Sequence, residues 1–348
     1  MNRLTCVLMA GVLSLQAKGG AYAPIAFTMC AQDCSPIVSH EGKVYYISEA
    51  GTLNESFDGK VTTLASHIGS SMLVQESDGI VFSSSNRLVK RNFLNGEIIE
   101  LGKTDSLIIA CQPWESGKWV TATKKAIWII DVESGISHKI IDYVNVDTEY
   151  FGLTMDREQG KIYLSTFLHG ISCYSIKGQR IWNAEPQRVP HGIAPVVGSL
   201  HILPQGQSIA ILADGLVVKL DGGGGEIWRN VIGDGSEKFA HPGVLIETGL
   251  CVATYVPRVR SGKIMCIDVN SGQIKWTSKM DHGSIFGPYF GEEKKELFVV
   301  FKDTGSAWYD INGKLDKLFD SNNFISPPFF GAGKEPMFIQ NNGTILYR

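Results

Sequence analysis

The chain has 348 residues, of which 44% are hydrophobic, only 19% are charged and 38 are glycines. Its formal net charge is −3 and its pI is near 6.3, so it lacks the basic surface that neutralises phosphates, and nucleic acid and anionic membranes are excluded as expected partners. Few charges and many glycines are instead typical of a strand-rich fold with many tight turns.

The first residues predict a secretory signal peptide. Arg3 is followed by the apolar run Leu4–Leu15, and the small residues Gly19–Ala21 precede a cleavage site before Tyr22. The run is too short to span a bilayer, so no membrane span is expected. The alternative is that this run forms a buried N-terminal strand. We therefore expect a signal peptide at residues 1–21, a mature domain at residues 22–348, and a secreted or periplasmic location.

A strand–turn–strand unit recurs along the chain after the signal. Its clearest copy is Ile264–Trp276, where an alternating apolar strand is followed by the turn Asn270–Gly272 and a second strand. Further copies are Cys173–Trp182, Val218–Trp228 and, without a final tryptophan, Trp308–Leu318. The turn glycines are 37 to 48 residues apart, at Gly59, Gly96, Gly135, Gly178, Gly224, Gly272 and Gly313. A period of this size, with about four short strands in each unit, is typical of a propeller.

These units resemble the blade repeat of pyrroloquinoline-quinone-type, or quinoprotein-like, β-propellers, most specifically over Lys161–Leu318. In that family a tryptophan four residues after the turn glycine packs between adjacent blades. This chain has Trp182, Trp228 and Trp276 at that position, whereas the first three units have Thr63, Glu100 and Lys139. The resemblance implies an all-β fold, a single β-propeller of about eight four-stranded blades.

The last unit predicts how the ring would close. It begins at Ser326–Phe330, passes through Met337–Gln340 and ends in Thr344–Arg348, which leaves it one strand short. Propellers of this type commonly complete such a blade with a strand from the other terminus, because an open edge favours aggregation. We expect the N-terminal strand Ala23–Met29 to complete it.

The cysteines allow a disulfide in an exported protein. Cleavage of the signal removes Cys6 and leaves six cysteines, an even number. Cys251 and Cys266 lie on strands that flank the turn at Pro257–Lys263, so they are expected to lie roughly opposite each other in a hairpin. Cys30 and Cys34 are a second local candidate pair. The alternative is that each is a small buried hydrophobic residue.

The histidines indicate a candidate face. In a propeller, the connection into each inner strand and the hairpin between the second and third strands emerge around one mouth of the central channel. Five of the eight histidines map there, four of them before inner strands and one in a hairpin: His67, His191, His241, His282 and His169. Arg258, Arg260 and Asp281 map to the same face.

Two interpretations of this face remain open. Neutral imidazoles from neighbouring blades suit zinc or manganese, so His191, His241 and His282 are candidate ligands of a divalent metal ion. Alternatively, each histidine merely occupies a polar loop beside its glycine. Pyrroloquinoline quinone is not expected, because quinone-dependent members carry an adjacent cysteine pair and this chain has none.

Two functions are consistent with these patterns. The first is a monomeric propeller that binds a small molecule, a carbohydrate or a protein, with His67, His169, Arg258, Arg260 and Asp281 as ligand contacts. The second is a metal-assisted lyase or hydrolase acting on a carbohydrate or small polar substrate. In the second, the cation acidifies a substrate or water, and Arg258 or Arg260 holds a carboxylate. No local hydrolase or nucleotide motif selects between them.

Overall fold

The computed structural model describes residues 37–41, 43–47, 52–57, 60–68, 73–142, 151–166, 170–184, 197–212, 215–232, 238–247, 249–256, 261–281, 284–291, 295–301, 305–320, 329–330, 336–339 and 345–347. In these ranges the regular elements are β-strands and one short 3-10 turn at Pro204–Gly206. The expected signal peptide and the expected closing strand Ala23–Met29 lie outside them, so cleavage and closure stay predictions.

The chain divides into two compact units, the first ending at Glu185 and the second beginning at Pro186. The first contains four antiparallel sheets of four consecutive strands. These are β1 (Ile37–His40), β2 (Lys43–Ile47), β3 (Leu53–Phe57) and β4 (Lys60–Ala65); β5 (Val74–Glu76), β6 (Gly79–Ser84), β7 (Arg87–Asn92) and β8 (Ile98–Lys103); β9 (Ile108–Glu115), β10 (Lys118–Thr123), β11 (Ala126–Asp131) and β12 (Ile136–Asp142); β13 (Phe151–Asp156), β14 (Lys161–Thr166), β15 (Gly170–Ser175) and β16 (Arg180–Ala184).

The second unit repeats this pattern. Its strands are β17 (Val197–Ile202), β18 (Ser208–Leu212), β19 (Leu216–Leu220) and β20 (Glu226–Val231); β21 (Lys238–Ile246), β22 (Gly249–Tyr255), β23 (Gly262–Ile267) and β24 (Ile274–Met280); β25 (Ser284–Gly291), β26 (Glu296–Phe301), β27 (Gly305–Asp310) and β28 (Leu315–Asp320); β29 (Phe329–Phe330), β30 (Pro336–Ile339) and β31 (Ile345–Tyr347). One parallel bridge, His241 to Phe286, joins β21 to β25. The expected all-β architecture of consecutive short antiparallel sheets is confirmed.

The sequence places the hydrophobic core between successive sheets. Central strands such as β18 and β19 are buried along their whole length, because both of their faces are covered. Fourth strands such as β20 alternate between exposed and partly buried residues, as expected at an edge. In the first unit Val120 of β10 and Ile162 of β14 belong to one buried cluster, so neighbouring sheets share their apolar faces.

Backbone hydrogen bonds define two opposite ends of the strands. At one end, the connection from a fourth strand to the next first strand meets the hairpin between second and third strands, as where Ser85 N donates to His67 O at 2.8 Å. We call this end the connector side. At the other, the hairpin between first and second strands meets the turn between third and fourth strands, as where Val132 N donates to Gly117 O at 2.7 Å. We call this end the turn side.

A tryptophan joins neighbouring sheets in the second unit, as the resemblance implies. Trp228 of β20 donates its indole N–H to Val269 O at 3.1 Å. A Cβ on Gly272, the turn glycine of the next sheet, would lie only 2.7 Å from the Trp228 ring. Asn230 also donates to Gly272 O at 2.7 Å. The ring therefore packs directly on this turn, and a side chain at position 272 would clash with it.

A charged contact takes this place between the first two sheets, where Thr63 stands at the tryptophan position. Arg91 lies over the turn glycine Gly96, with Nη2 3.2 Å from where a Cβ would be. Its guanidinium is 3.6 Å from Glu55 Oε2, and it lies over the buried ring of Tyr45. These two sheets are thus joined by an ion pair and a cation–π contact.

Candidate functional site

The structure describes three of the predicted site residues, which are His67, His241 and Asp281. The remaining five lie outside the described residues: His169, His191, Arg258, Arg260 and His282. Their predicted roles are therefore neither supported nor opposed by the structure. Within the described ranges, no three histidine, cysteine or acidic side chains converge to hold a metal ion.

His67 lies on the connector side, as predicted from the sequence. It has φ of 60°, its side chain is exposed, and its carbonyl accepts the hydrogen bond from Ser85. The backbone makes this contact, and the imidazole is exposed to solvent.

His241 lies in a different place from the one expected. The sequence predicted an inner strand that begins after His241, but β21 begins at Lys238 and its backbone continues through His241. The pairing with β22 shifts in register between Ala240 and Val244, which makes room for this longer strand. His241 therefore lies within an inner strand, at its bridge to β25.

Asp281 is exposed just after the last residue of β24. Its carboxylate acts on Tyr309, because burial and then the Asp281 charge raise the pKa of that phenol to about 12. Burial also raises the pKa of Tyr255, which lies at the connector end of β22. Both phenols therefore stay protonated at neutral pH, and that of Tyr309 is buried in the core.

The connector side of the first unit is held together by a small hydrogen-bond network. Thr104 N donates to Asn86 O at 2.9 Å, and the Asn86 side chain donates back to Thr104 O at 2.9 Å. The Thr104 hydroxyl donates to Ser106 O at 2.6 Å, and Ile108 N donates to Ser85 O at 2.9 Å. The hairpin Ser85–Asn86 is thus fixed between the connection that carries His67 and the one that precedes β9.

Leu107 is the apolar residue that this network presents to solvent. Its side chain is 42% exposed, and Asp105 beside it is exposed as well. The sequence pattern did not single out this residue, because the apolar run Leu107–Cys111 predicts an inner strand, whereas β9 begins at Ile108. No local pattern marks its exposure, because strands that are buried on both faces, such as β18 and β19, also carry consecutive apolar residues.

The described surface offers the chemistry of recognition. An exposed leucine and imidazole, a neighbouring carboxylate and a backbone fixed by hydrogen bonds supply apolar contact area, hydrogen-bonding groups and charge. Among the described residues named in this subsection, no nucleophile lies next to a base.

No protein-family model matches the chain, and no curated protein is similar to it in sequence. Solved structures are similar in fold. BamB from Moraxella catarrhalis has a TM-score of 0.58 at 12% identity, over 89% of this chain and 95% of that chain. Sqt1 from Saccharomyces cerevisiae has a TM-score of 0.59 at 10% identity, over 88% of this chain and 92% of that chain. A chain of a Mitotic Checkpoint Complex has a TM-score of 0.53 at 13% identity, over 77% of this chain and 82% of that chain.

The chain has a β-propeller fold. Its four-stranded sheets are the blades, and its inner strands are the first strands of each sheet. The similar structures come from both quinoprotein-like and WD40 propellers, so they show the fold without selecting one repeat family. Within the described residues, no helix is long and apolar enough to cross a membrane.

Proposed function

We propose that the protein is a propeller that binds a protein partner through the connector side of its blades. The observation that carries this proposal is Leu107, an exposed apolar side chain on a backbone fixed by the Asn86–Thr104 hydrogen bonds. A rigid apolar contact surrounded by polar groups is the usual anatomy of a protein interface. The fold of the chain from the Mitotic Checkpoint Complex is consistent with such a role.

A photo-crosslinking amino acid at position 107 tests this proposal, with position 94 as the matched control. Leu94 is 96% exposed and lies in the turn between β7 and β8, on the turn side. Illumination in the native host should join one discrete protein to position 107 and not to position 94. A crosslink only at position 94, or none at either position, would contradict the proposal.

The proposal includes the protein's location and closure. We propose that it acts as a secreted or periplasmic monomer of about eight blades, the last of which is completed by Ala23–Met29. The signal-like run at the N-terminus and the three-stranded sheet β29–β31 support this. Protein from the native host should begin near Tyr22, and a chain beginning at Ser35 should aggregate where one beginning at Tyr22 folds. An intact Met1 would contradict export, and equal melting of both chains would contradict closure.

A second candidate function rests on the bridge at His241. Pairing of β21 with β25 there brings the inner strands of successive blades together, which favours ligands from neighbouring repeats. We propose as the alternative a divalent metal ion bound by His191, His241 and His282, in a lyase or hydrolase for a carbohydrate or small polar substrate. Chelator-free protein should then hold stoichiometric metal that His241→Ala loses and His138→Ala keeps. If wild-type protein and His138→Ala are both purified without metal, this alternative is excluded.

A further inference from the structure

The cysteines of β22 and β23 lie directly opposite each other, as expected from the sequence. Cys251 is paired with Cys266, and the pairing continues without a shift to Tyr255 and Gly262. Val256 N donates to Ser261 O at 3.1 Å and closes the hairpin with a hydrogen-bonded pair. Hydrogen-bonded and non-hydrogen-bonded pairs alternate along antiparallel strands, so Cys251 and Cys266, five pairs further on, form a non-hydrogen-bonded pair.

This type of pair suits a disulfide. The Cα atoms of a non-hydrogen-bonded pair are about 4.5 Å apart and their side chains are close, which falls within the range of about 4.4–6.8 Å that disulfides span. The two thiols are already in hydrogen-bond contact, and this contact, together with burial, raises the pKa of Cys251. The backbone therefore needs no rearrangement to bring the sulfur atoms together.

The folded protein hides both sulfur atoms from any oxidant. Cys251 and Cys266 are fully buried in a cluster that includes Leu297 and Val299 of β26. On the other side, a Cβ on Gly249 would lie 2.8 Å from Cys266 Sγ. Because thiol–disulfide exchange needs a thiolate and an accessible sulfur, burial opposes the reaction in the native state.

We propose that Cys251 and Cys266 form a disulfide during folding in an oxidising environment, after β22 pairs with β23 and before β25–β28 cover the pair. The oxidant is a small-molecule disulfide or the disulfide of an oxidoreductase. One cysteine thiolate attacks that disulfide, forms a mixed disulfide and releases one thiol. The second cysteine attacks the mixed disulfide and releases the other thiol, so that two protons and two electrons leave the cysteines.

Refolding in a glutathione redox buffer tests this proposal. Reduced, denatured protein is refolded in the buffer, and native reduced protein is incubated in the same buffer for the same time. After acid quenching and alkylation, peptide mapping should find the Cys251–Cys266 link in the refolded sample, and largely unmodified thiols in the native one. Full alkylation of both cysteines after refolding would overturn the proposal, and equal linkage in both samples would overturn the order of events.

Variants check that the bond is specific. Cys251→Ala should lose the linked peptide, and it should lose the difference in electrophoretic mobility between reducing and non-reducing conditions. Cys173→Ala, at a buried cysteine of β15, should keep both. Retention of the redox-dependent shift in Cys251→Ala would contradict the assignment. The mapping of wild-type protein decides the question even where a variant folds poorly.

Discussion

The indole N–H of Trp276 donates to Ile311 O at 3.0 Å, and the Trp276 ring covers the turn glycine Gly313 of the next blade. Trp228 makes the same contacts with Val269 and Gly272 one blade earlier. Blades in the second unit are therefore fastened at the turn side by a repeated aromatic contact. The loops of the connector side take no part in this aromatic contact.

Replacing Trp276 separates the two parts of this contact. Trp276→Phe keeps an aromatic ring and loses one hydrogen bond, which should cost about 1 kcal/mol of unfolding free energy. Trp276→Ala also loses the ring and should cost about 3 kcal/mol, near the low end for large-to-small changes because the ring is only partly buried. Urea unfolding measures both. Equal stability of Trp276→Ala and wild type would show that the ring does not join the blades.

Glycine variants test the same contact from the other side. Gly313 and Gly135 occupy equivalent turns with φ of +81° and +68°, but a Cβ at Gly313 would lie 2.4 Å from the Trp276 ring, whereas one at Gly135 meets nothing within 4 Å. Gly135→Ala should cost only the left-handed strain, about 1 kcal/mol. Gly313→Ala should cost distinctly more, since the ring must move. Thermal melting compares the two, and equal losses would contradict this packing.

The Arg91–Glu55 ion pair between the first two blades should contribute more to the free energy of unfolding than the nearby Arg87–Glu100 pair. Arg91 and Glu55 are 12% and 15% exposed, whereas Arg87 and Glu100, which both lie on the second blade, are 62% and 43% exposed. Arg91→Ala leaves the Glu55 carboxylate, among the described cations, with only its 3.6 Å contact to Lys43 Nζ and should cost about 2 kcal/mol. Arg87→Ala should change stability by less than about 1 kcal/mol. A chemical denaturation series that ranked them in the reverse order would refute the role of Arg91.

His201 should make the fold sensitive to acid. Its Nε2 is buried without a hydrogen-bond partner among the described residues, Ile209 lies opposite it, and burial lowers its pKa from 6.5 to about 4. Between these two values the unfolded chain binds more protons than the folded one. Stability is therefore lost as the pH falls from about 6.5 to about 4, by at most about 3 kcal/mol.

Melting curves across this pH range provide the check. His201→Leu should flatten the dependence of the melting temperature on pH, whereas the exposed His138 of β12 serves as the control, and His138→Leu should leave it unchanged. An unaltered slope in His201→Leu would assign the acid sensitivity to other groups.

The sequence predicted those parts of the fold that depend on local chemistry. Turn glycines such as Gly178 and Gly272 have positive φ, which only a small set of residues tolerates, and alternation marks the strands between them. Cys251 and Cys266 could be paired because a hairpin fixes its own register.

The site was harder to predict. The position of His241 depends on the register shift in β21, and the exposure of Leu107 depends on a network joining Asn86 to Thr104, 18 residues apart. Neither is encoded in a local pattern. Arg91 over Gly96 was missed for a similar reason: Thr63 stands at the tryptophan position, and the side chain that covers the turn glycine comes from a different strand.

The affinity of the partner captured at position 107 tests the central claim most directly. Calorimetric titration of that partner with wild type, Leu107→Asp and Leu94→Asp compares an interface residue with an equally simple change on the turn side. Burying a carboxylate in an apolar contact should weaken binding by Leu107→Asp at least about tenfold, while Leu94→Asp keeps the wild-type affinity. Unchanged binding by Leu107→Asp, or the larger loss in Leu94→Asp, would contradict binding through the connector side.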